Sequence, residues 1–87
     1  MKIFKYTLKP LVKQQTIGLP FKSKVIHVNL QKDNICIWVL FSEDDEKYLE
    51  DSTFYTVTTG ESFTYYSSMY IGTVQMKNGI VYHIFRA

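Results

Sequence analysis

The side chains able to do chemistry in this 87-residue chain are two histidines, one cysteine, eight carboxylates, seven tyrosines and ten lysines or arginines. His27 and His83 stand far apart, and neither sits in a His-Glu-x-x-His or comparable ligand spacing, so no zinc site is expected. His83 lies within an apolar run and reads as a core histidine with one satisfied nitrogen. Cys36 is the single cysteine; it precludes an internal disulfide and has the setting of an inert buried thiol. No nucleophile has a base at a recognisable spacing. Gly18, Gly60, Gly72 and Gly79 are scattered singly, without the glycine-rich loop that cradles phosphate. Asp44, Asp45, Glu50 and Asp51 could pair as acid and base or hold a divalent cation, yet nothing fixes their geometry, and a solvated acidic surface is the plainer expectation. Catalysis is therefore not expected, and no cofactor is implied.

Binding has more material. Tyr48, Tyr55, Tyr65, Tyr66 and Tyr70 offer flat faces and hydroxyls to a nucleobase or a protein surface, and Lys22, Lys24 and Arg86 suit phosphate. Together with His27 this makes the expected ligand-binding set Tyr65, Tyr66, Lys22, Lys24, His27 and Arg86. The net charge of +2 conceals a segregation: seven lysines and no carboxylate precede residue 33, whereas six of the eight acids fall between Glu43 and Asp51. The lysine-bearing part can attract an anion, a nucleic acid or the acidic loop of a second copy. A general single-strand binder ordinarily carries more arginine and a larger net charge, so no strong nucleic-acid signal is present.

The elements that must position these groups are strands. The composition is rich in Tyr, Phe, Val, Ile and Thr, with a single alanine, Ala87, and a chain of this length has room for one domain, residues 1–87. Its organising stretch is Ile35 to Phe41, seven consecutive apolar residues that read as a strand covered on both faces. The run is too short for a membrane span, which takes about 20 residues. Ile3 to Leu8 alternates, with Phe4, Tyr6 and Leu8 on one face. Gln14 to Leu19, bracketed by Pro10 and Pro20, reads as an edge strand. Lys24 to Gln31 alternates again, and a three-residue turn, Lys32-Asp33-Asn34, would set Leu30 opposite Cys36, Val28 opposite Trp38 and Ile26 opposite Leu40. The reverse face then carries Ile37, Val39 and Phe41, and with Tyr82 of the last apolar strand these form an expected interface between copies.

Glu43 to Ser52 is expected to stay out of the sheet, with one short helical turn at its acidic start. Thr53 to Thr59 is the next strand, Glu61 to Ser68 an aromatic loop, and Met69 to Met76 with Ile80 to Arg86 a hairpin around Asn78-Gly79, of two or three loop residues. The expected fold is all-β, six or seven mostly antiparallel strands in a small barrel or two-layer sandwich. In so thin a core a ligand cavity of about 300 Å³ is easier to form between subunits than within one, which favours a homo-oligomer.

Lys5-Tyr6-Thr7-Leu8, Thr16-Ile17-Gly18-Leu19-Pro20, Lys24-Val25-Ile26-His27-Val28, Ile37-Trp38-Val39-Leu40, Thr58-Thr59-Gly60, Tyr70-Ile71-Gly72-Thr73-Val74-Gln75 and Val81-Tyr82-His83-Ile84-Phe85, taken in this order, closely resemble a group of short, functionally uncharacterised proteins of tailed bacteriophages and prophages. The resemblance implies a protein made in an infected bacterium. No secretory segment is expected behind Lys2 and Lys5, which sets the expected location as the host cytoplasm. The function expected on this basis is an accessory protein that counters host defence by binding without catalysis, sequestering a nucleotide-derived signal at a subunit interface. The alternatives are an inhibitor that caps a host or phage protein, using the acidic 43–51 segment, and a small virion component.

Overall fold

The computed structural model describes residues 1–64 and 68–87. Within them the chain forms strands β1 (Lys2–Leu8), β2 (Gln14–Pro20), β3 (Lys24–Gln31), β4 (Asn34–Phe41), β5 (Leu49–Thr58), β6 (Met69–Gln75) and β7 (Val81–Arg86). One 3-10 turn, Glu43–Asp45, follows β4; the Ser42 hydroxyl caps it by accepting from the Asp44 amide at 3.4 Å. The strands assemble into two antiparallel sheets, ordered β1-β4-β3 and β2-β5-β7-β6. The all-β expectation holds, and of its two forms the sandwich is the one realised. β2 takes the edge position that its flanking prolines require.

β4 is central to the smaller sheet because it is the strand that is apolar on both sides. Ile35, Ile37 and Val39 point into the core with Leu8, Leu19, Phe54 and Ile84, all fully buried, and with Val74 and Tyr82. Which face of β4 turns inward is decided by the β3–β4 turn. That turn has two residues, Lys32 and Asp33, both in the left-handed region (φ 50° and 66°). Two left-handed residues match the twist of the flanking strands, which a three-residue turn here would not do as simply. Leu30 therefore faces Ile35 and Val28 faces Ile37, not Cys36 and Trp38. A slip of one residue exchanges the faces of a strand. Ile37, Val39, Phe41 and Tyr82, assigned by the sequence to an interface between copies, are instead 0, 0, 1 and 7% exposed within this one chain. The opposite face of β4 carries Cys36, Trp38 and Leu40.

Two further departures have local causes. A bulge between Val25 and His27 turns Val25 toward the core and leaves Ile26 45% exposed, so Ile26 does not pair with Leu40. β5 begins at Leu49, earlier than its acidic composition suggests, because β2 supplies a ladder for it: Pro20 lies opposite Leu49 and Gly18 opposite Asp51. Backbone pairing outweighs the low strand preference of Glu50 and Asp51, whose side chains stay in water. The β6–β7 hairpin takes the three-residue form: Gly79, at φ 89°, donates to the Met76 carbonyl at 3.0 Å, and the Met76 amide donates to Ile80 at 2.8 Å.

The sheets meet most closely along β3 and β6. There Gly72 lies against Val28 so tightly that a β-carbon built on the glycine would stand 2.8 Å from Val28 Cβ and 3.1 Å from its Cγ2. Because Val28 Cβ is fixed to the backbone, relief would require the strands to move apart. Gly72→Ala is expected to cost about 1–3 kcal/mol, the range for overpacking a core, read from urea unfolding with an unchanged slope; an unchanged midpoint would refute the close approach. At the other end of β3, Asp33→Gly is expected to raise stability by up to about 1 kcal/mol by relieving a left-handed non-glycine residue, and a lower midpoint would contradict the turn assignment.

Candidate anion-binding cleft

The β3–β6 approach leaves an opening at the start of β3. Pro20 accepts a hydrogen bond from the Ser23 amide at 3.1 Å, closing a turn in which Lys22 is left-handed (φ 58°), and the chain enters β3 at Lys24. Ser23, Lys24 and Val25 form one wall of a cleft of about 420 Å³; Met69 and Ile71 of β6 form another; Arg86 at the end of β7 and Ala87 complete it. This volume falls in the range of small-molecule sites. This cleft is formed by a single chain.

Arg86 is the best-oriented cation in the cleft. Its Nη1 donates to the Ser23 carbonyl at 3.1 Å, and its Nη2 donates to Ser52 Oγ at 2.9 Å and to Ser23 Oγ at 3.5 Å. The guanidinium carbon stands 5.9 Å from the centre of the Phe54 ring. Register explains this placement: Arg86 pairs with Phe54 on β5 and Met69 on β6, so its side chain leaves the sheet on the inward side. Burial draws its pKa below the ordinary arginine value, and the charge of Glu50 opposes that shift. Among the described residues no carboxylate is ion-paired with Arg86 or Lys24. A guanidinium has five N–H groups, and the three contacts above leave some of them available. Two cations, one hydroxyl and an apolar wall can hold the anionic end of a ligand and the flat or apolar part behind it.

The structure thus joins Lys24 and Arg86 of the expected set. Lys22 stands in the adjoining turn, its ammonium 5.3 Å from the centre of the Phe21 ring. His27 does not share the cleft; it lies on the outer face of the smaller sheet, its ring 5.3 Å from that of Trp38. Tyr65 and Tyr66 lie outside the described residues. Ser23, Ser52, Met69 and Ile71 were not singled out by the sequence, and no local signal marks them: Arg86 and Ser23 are 63 positions apart and meet only through sheet packing.

His83 is a correction of another kind. It is half-buried on the outer face of the larger sheet, and both nitrogens have partners: Nε2 lies 2.8 Å from Thr59 Oγ1 and Nδ1 3.1 Å from Thr73 Oγ1, which is 2.6 Å from the Tyr70 hydroxyl. Beside it Tyr55, Phe85 and Tyr70 lie opposite one another across three strands, and the Phe63 ring covers them, 4.8 Å from Phe85 and 6.0 Å from Tyr55. The loop that delivers Phe63 is pinned by Glu61, whose Oε1 accepts from the Thr58 amide at 3.1 Å and whose Oε2 is 2.5 Å from Lys13 Nζ. The Lys13 hydrogen bond first, and the Thr58 amide second, hold the Glu61 pKa below the usual carboxylate value. Among the described residues no three His, Cys, Asp or Glu side chains converge as a metal site would require. No helix among them is long and apolar enough to cross a membrane.

The chain belongs to the family described as a domain of unknown function, DUF7352, whose model matches residues 1–87. No curated protein and no solved structure matches the chain.

The anchoring of Arg86 is open to test without any ligand. Ser52→Ala removes the shortest hydrogen bond to a half-buried cation and is expected to destabilise the fold by about 1–3 kcal/mol, measured by urea or thermal unfolding. A change within about 0.3 kcal/mol, ordinary for a surface substitution, would show that Ser52 does not hold Arg86.

Proposed function

We propose that this protein is a non-catalytic binding protein that captures a small anionic ligand in the Arg86 cleft. The observation that carries the reading is the half-buried Arg86 guanidinium, held in place by Ser23 and Ser52, sharing a cavity with Lys24 and ion-paired with no carboxylate among the described residues. Partial burial of a cation costs free energy unless a counter-charge or several hydrogen bonds offset it. An anionic ligand supplies that charge, and phosphate matches the planar fork of arginine. The apolar side of the cleft, Val25, Met69 and Ile71, suits the base or sugar of a nucleotide. The ligand class that follows is a nucleotide-derived molecule, and the biological role that goes with it is withdrawal of such a signal from a host defence inside an infected bacterium. That role rests on the resemblance to phage proteins.

Calorimetric titration with ATP, ADP-ribose, cyclic dinucleotides and pyrophosphate tests the reading. At least one of these is expected to bind with a Kd below about 100 μM, equivalent to about 5.5 kcal/mol, and Arg86→Met is expected to weaken it tenfold or more. Binding of none of them within that limit, or binding that Arg86→Met leaves unaltered, would overturn the assignment.

A further inference from the structure

We propose that the outer face of the β1-β4-β3 sheet is a binding surface for single-stranded nucleic acid, one that meets the Arg86 cleft only at Lys24. Register lays this face out in rows. Ile3, Leu40 and Lys24 form one; Lys5, Trp38 and His27 the next; Thr7, Cys36 and Asn29 the third; and Asn34 with Gln31 closes it. The centre is aromatic, the Trp38 and His27 rings standing 5.3 Å apart at 51°. Trp38 is half-buried by its neighbours, His27 is exposed, and Ile3 and Ile26 are 53 and 45% exposed on either side.

Charge selects the occupant. β1, β3 and β4 contain not one carboxylate side chain, and of their three lysines Lys5 and Lys24 lie on this face, while Lys2, opposite Phe41, pairs with Glu46 at 2.7 Å. Lys5 and Lys24 flank the aromatic pair from opposite strands, and the Lys5 ammonium reaches across the sheet to the Gln31 side chain. A cationic rim around a flat aromatic centre fits a chain that alternates phosphates with stackable bases, since every base has a π-face and the phosphates need only point charges. Asn29, Gln31, Asn34 and Thr7 add amides and a hydroxyl at the height of base edges. An acidic protein surface would meet the lysines equally well but would leave the Trp38–His27 pair without a ring to stack on. The face is open-sheeted and shallow, which suits an extended strand better than a duplex.

Trp38 is the only tryptophan in the chain, so its emission reports directly on this face. Titration with oligothymidylate about a dozen nucleotides long, at about 50 mM salt, is expected to quench Trp38 saturably. Two lysine–phosphate contacts, from Lys5 and Lys24, predict a weakening of roughly sevenfold when salt is raised to about 200 mM. Lys5→Gln is expected to reduce affinity while leaving the thermal midpoint within about 2 °C, as for an exposed substitution, and Trp38→Phe to reduce it about fivefold or more, read by anisotropy of a labelled strand. Three results would overturn the proposal: no binding up to about 100 μM, a free energy of only about 5.5 kcal/mol; binding by anisotropy with unaltered Trp38 emission, which places the strand elsewhere; or displacement of the oligonucleotide by poly-glutamate at equal phosphate and carboxylate concentration, which assigns the face to an acidic protein.

Discussion

The contact on which the rest of this molecule depends is the approach of Gly72 to Val28. Two sheets of three and four strands, in a chain of this length, have little apolar surface to hold them together. They succeed because one side of the sandwich closes backbone to side chain, where β6 carries no side chain at all and β3 presents a β-branched one. That closure aligns the start of β3 with the ends of β6 and β7, and so brings the Ser23 turn onto Arg86 across most of the sequence. The cleft is a consequence of how the sheets are joined. Its volume lies where the closure stops, at the point where the chain is still entering β3.

The same packing explains how much could be read from the sequence. The all-β class, the strand positions apart from the start of β5, the edge role of β2 and the helical turn after Phe41 followed from apolar periodicity and from Pro and Gly placement, because these are local properties; the choice between barrel and sandwich did not. The face of β4 did not follow. Ile35 to Phe41 is apolar at every position, so alternation, the only local guide to orientation, is absent, and the decision passes to the turn at Lys32-Asp33. Neither residue is a glycine, and Lys32 gives no sign that it accepts a left-handed conformation. The assignment of Ile37, Val39 and Phe41 to an intermolecular surface fell with that single residue of register, and Tyr82, on β7, is covered separately, as part of the core. The bulge at Ile26 is equally silent, since Val25 and Ile26 are interchangeable in hydrophobicity.

Of the cleft, the cations were legible and their setting was not. Lys24 and Arg86 stood out by charge type. Their convergence required the two sheets to be superposed at one edge, and Ser52, which holds Arg86, looks in sequence like any polar residue near a strand end. His27 was singled out with Lys24, and the bulge between Val25 and His27 keeps the two on one face of the smaller sheet, but only Lys24, at the start of β3, also lines the cleft; His27 stands over Trp38. Proximity along β3 groups the two correctly on one face, and what it cannot show is that Arg86 and Ser23 meet Lys24 at the strand's start.

The segregation of charge along the chain becomes, through the topology, a segregation between sheets. The smaller sheet draws all three of its strands from the first 41 residues, the part that holds most of the lysines, and the larger sheet draws three of its four from the second half. The exception is β2, which crosses to the larger sheet and, like β4, carries no lysine. Had β2 carried the lysine density of β1 or β3, its cations would face Glu50 and Asp51 across the β2–β5 ladder and be neutralised there. Instead Lys2 pairs with Glu46, and Lys5 of β1 and Lys24 of β3 remain without an acidic partner among the described residues, so their potential is exerted outward, over Trp38 and toward the Lys24 corner of the cleft. Lys5 and Lys24, on the two strands that flank the uncharged β4, form no ion pair among the described residues and so add none to the fold; their charge is what the proposed anion binding rests on.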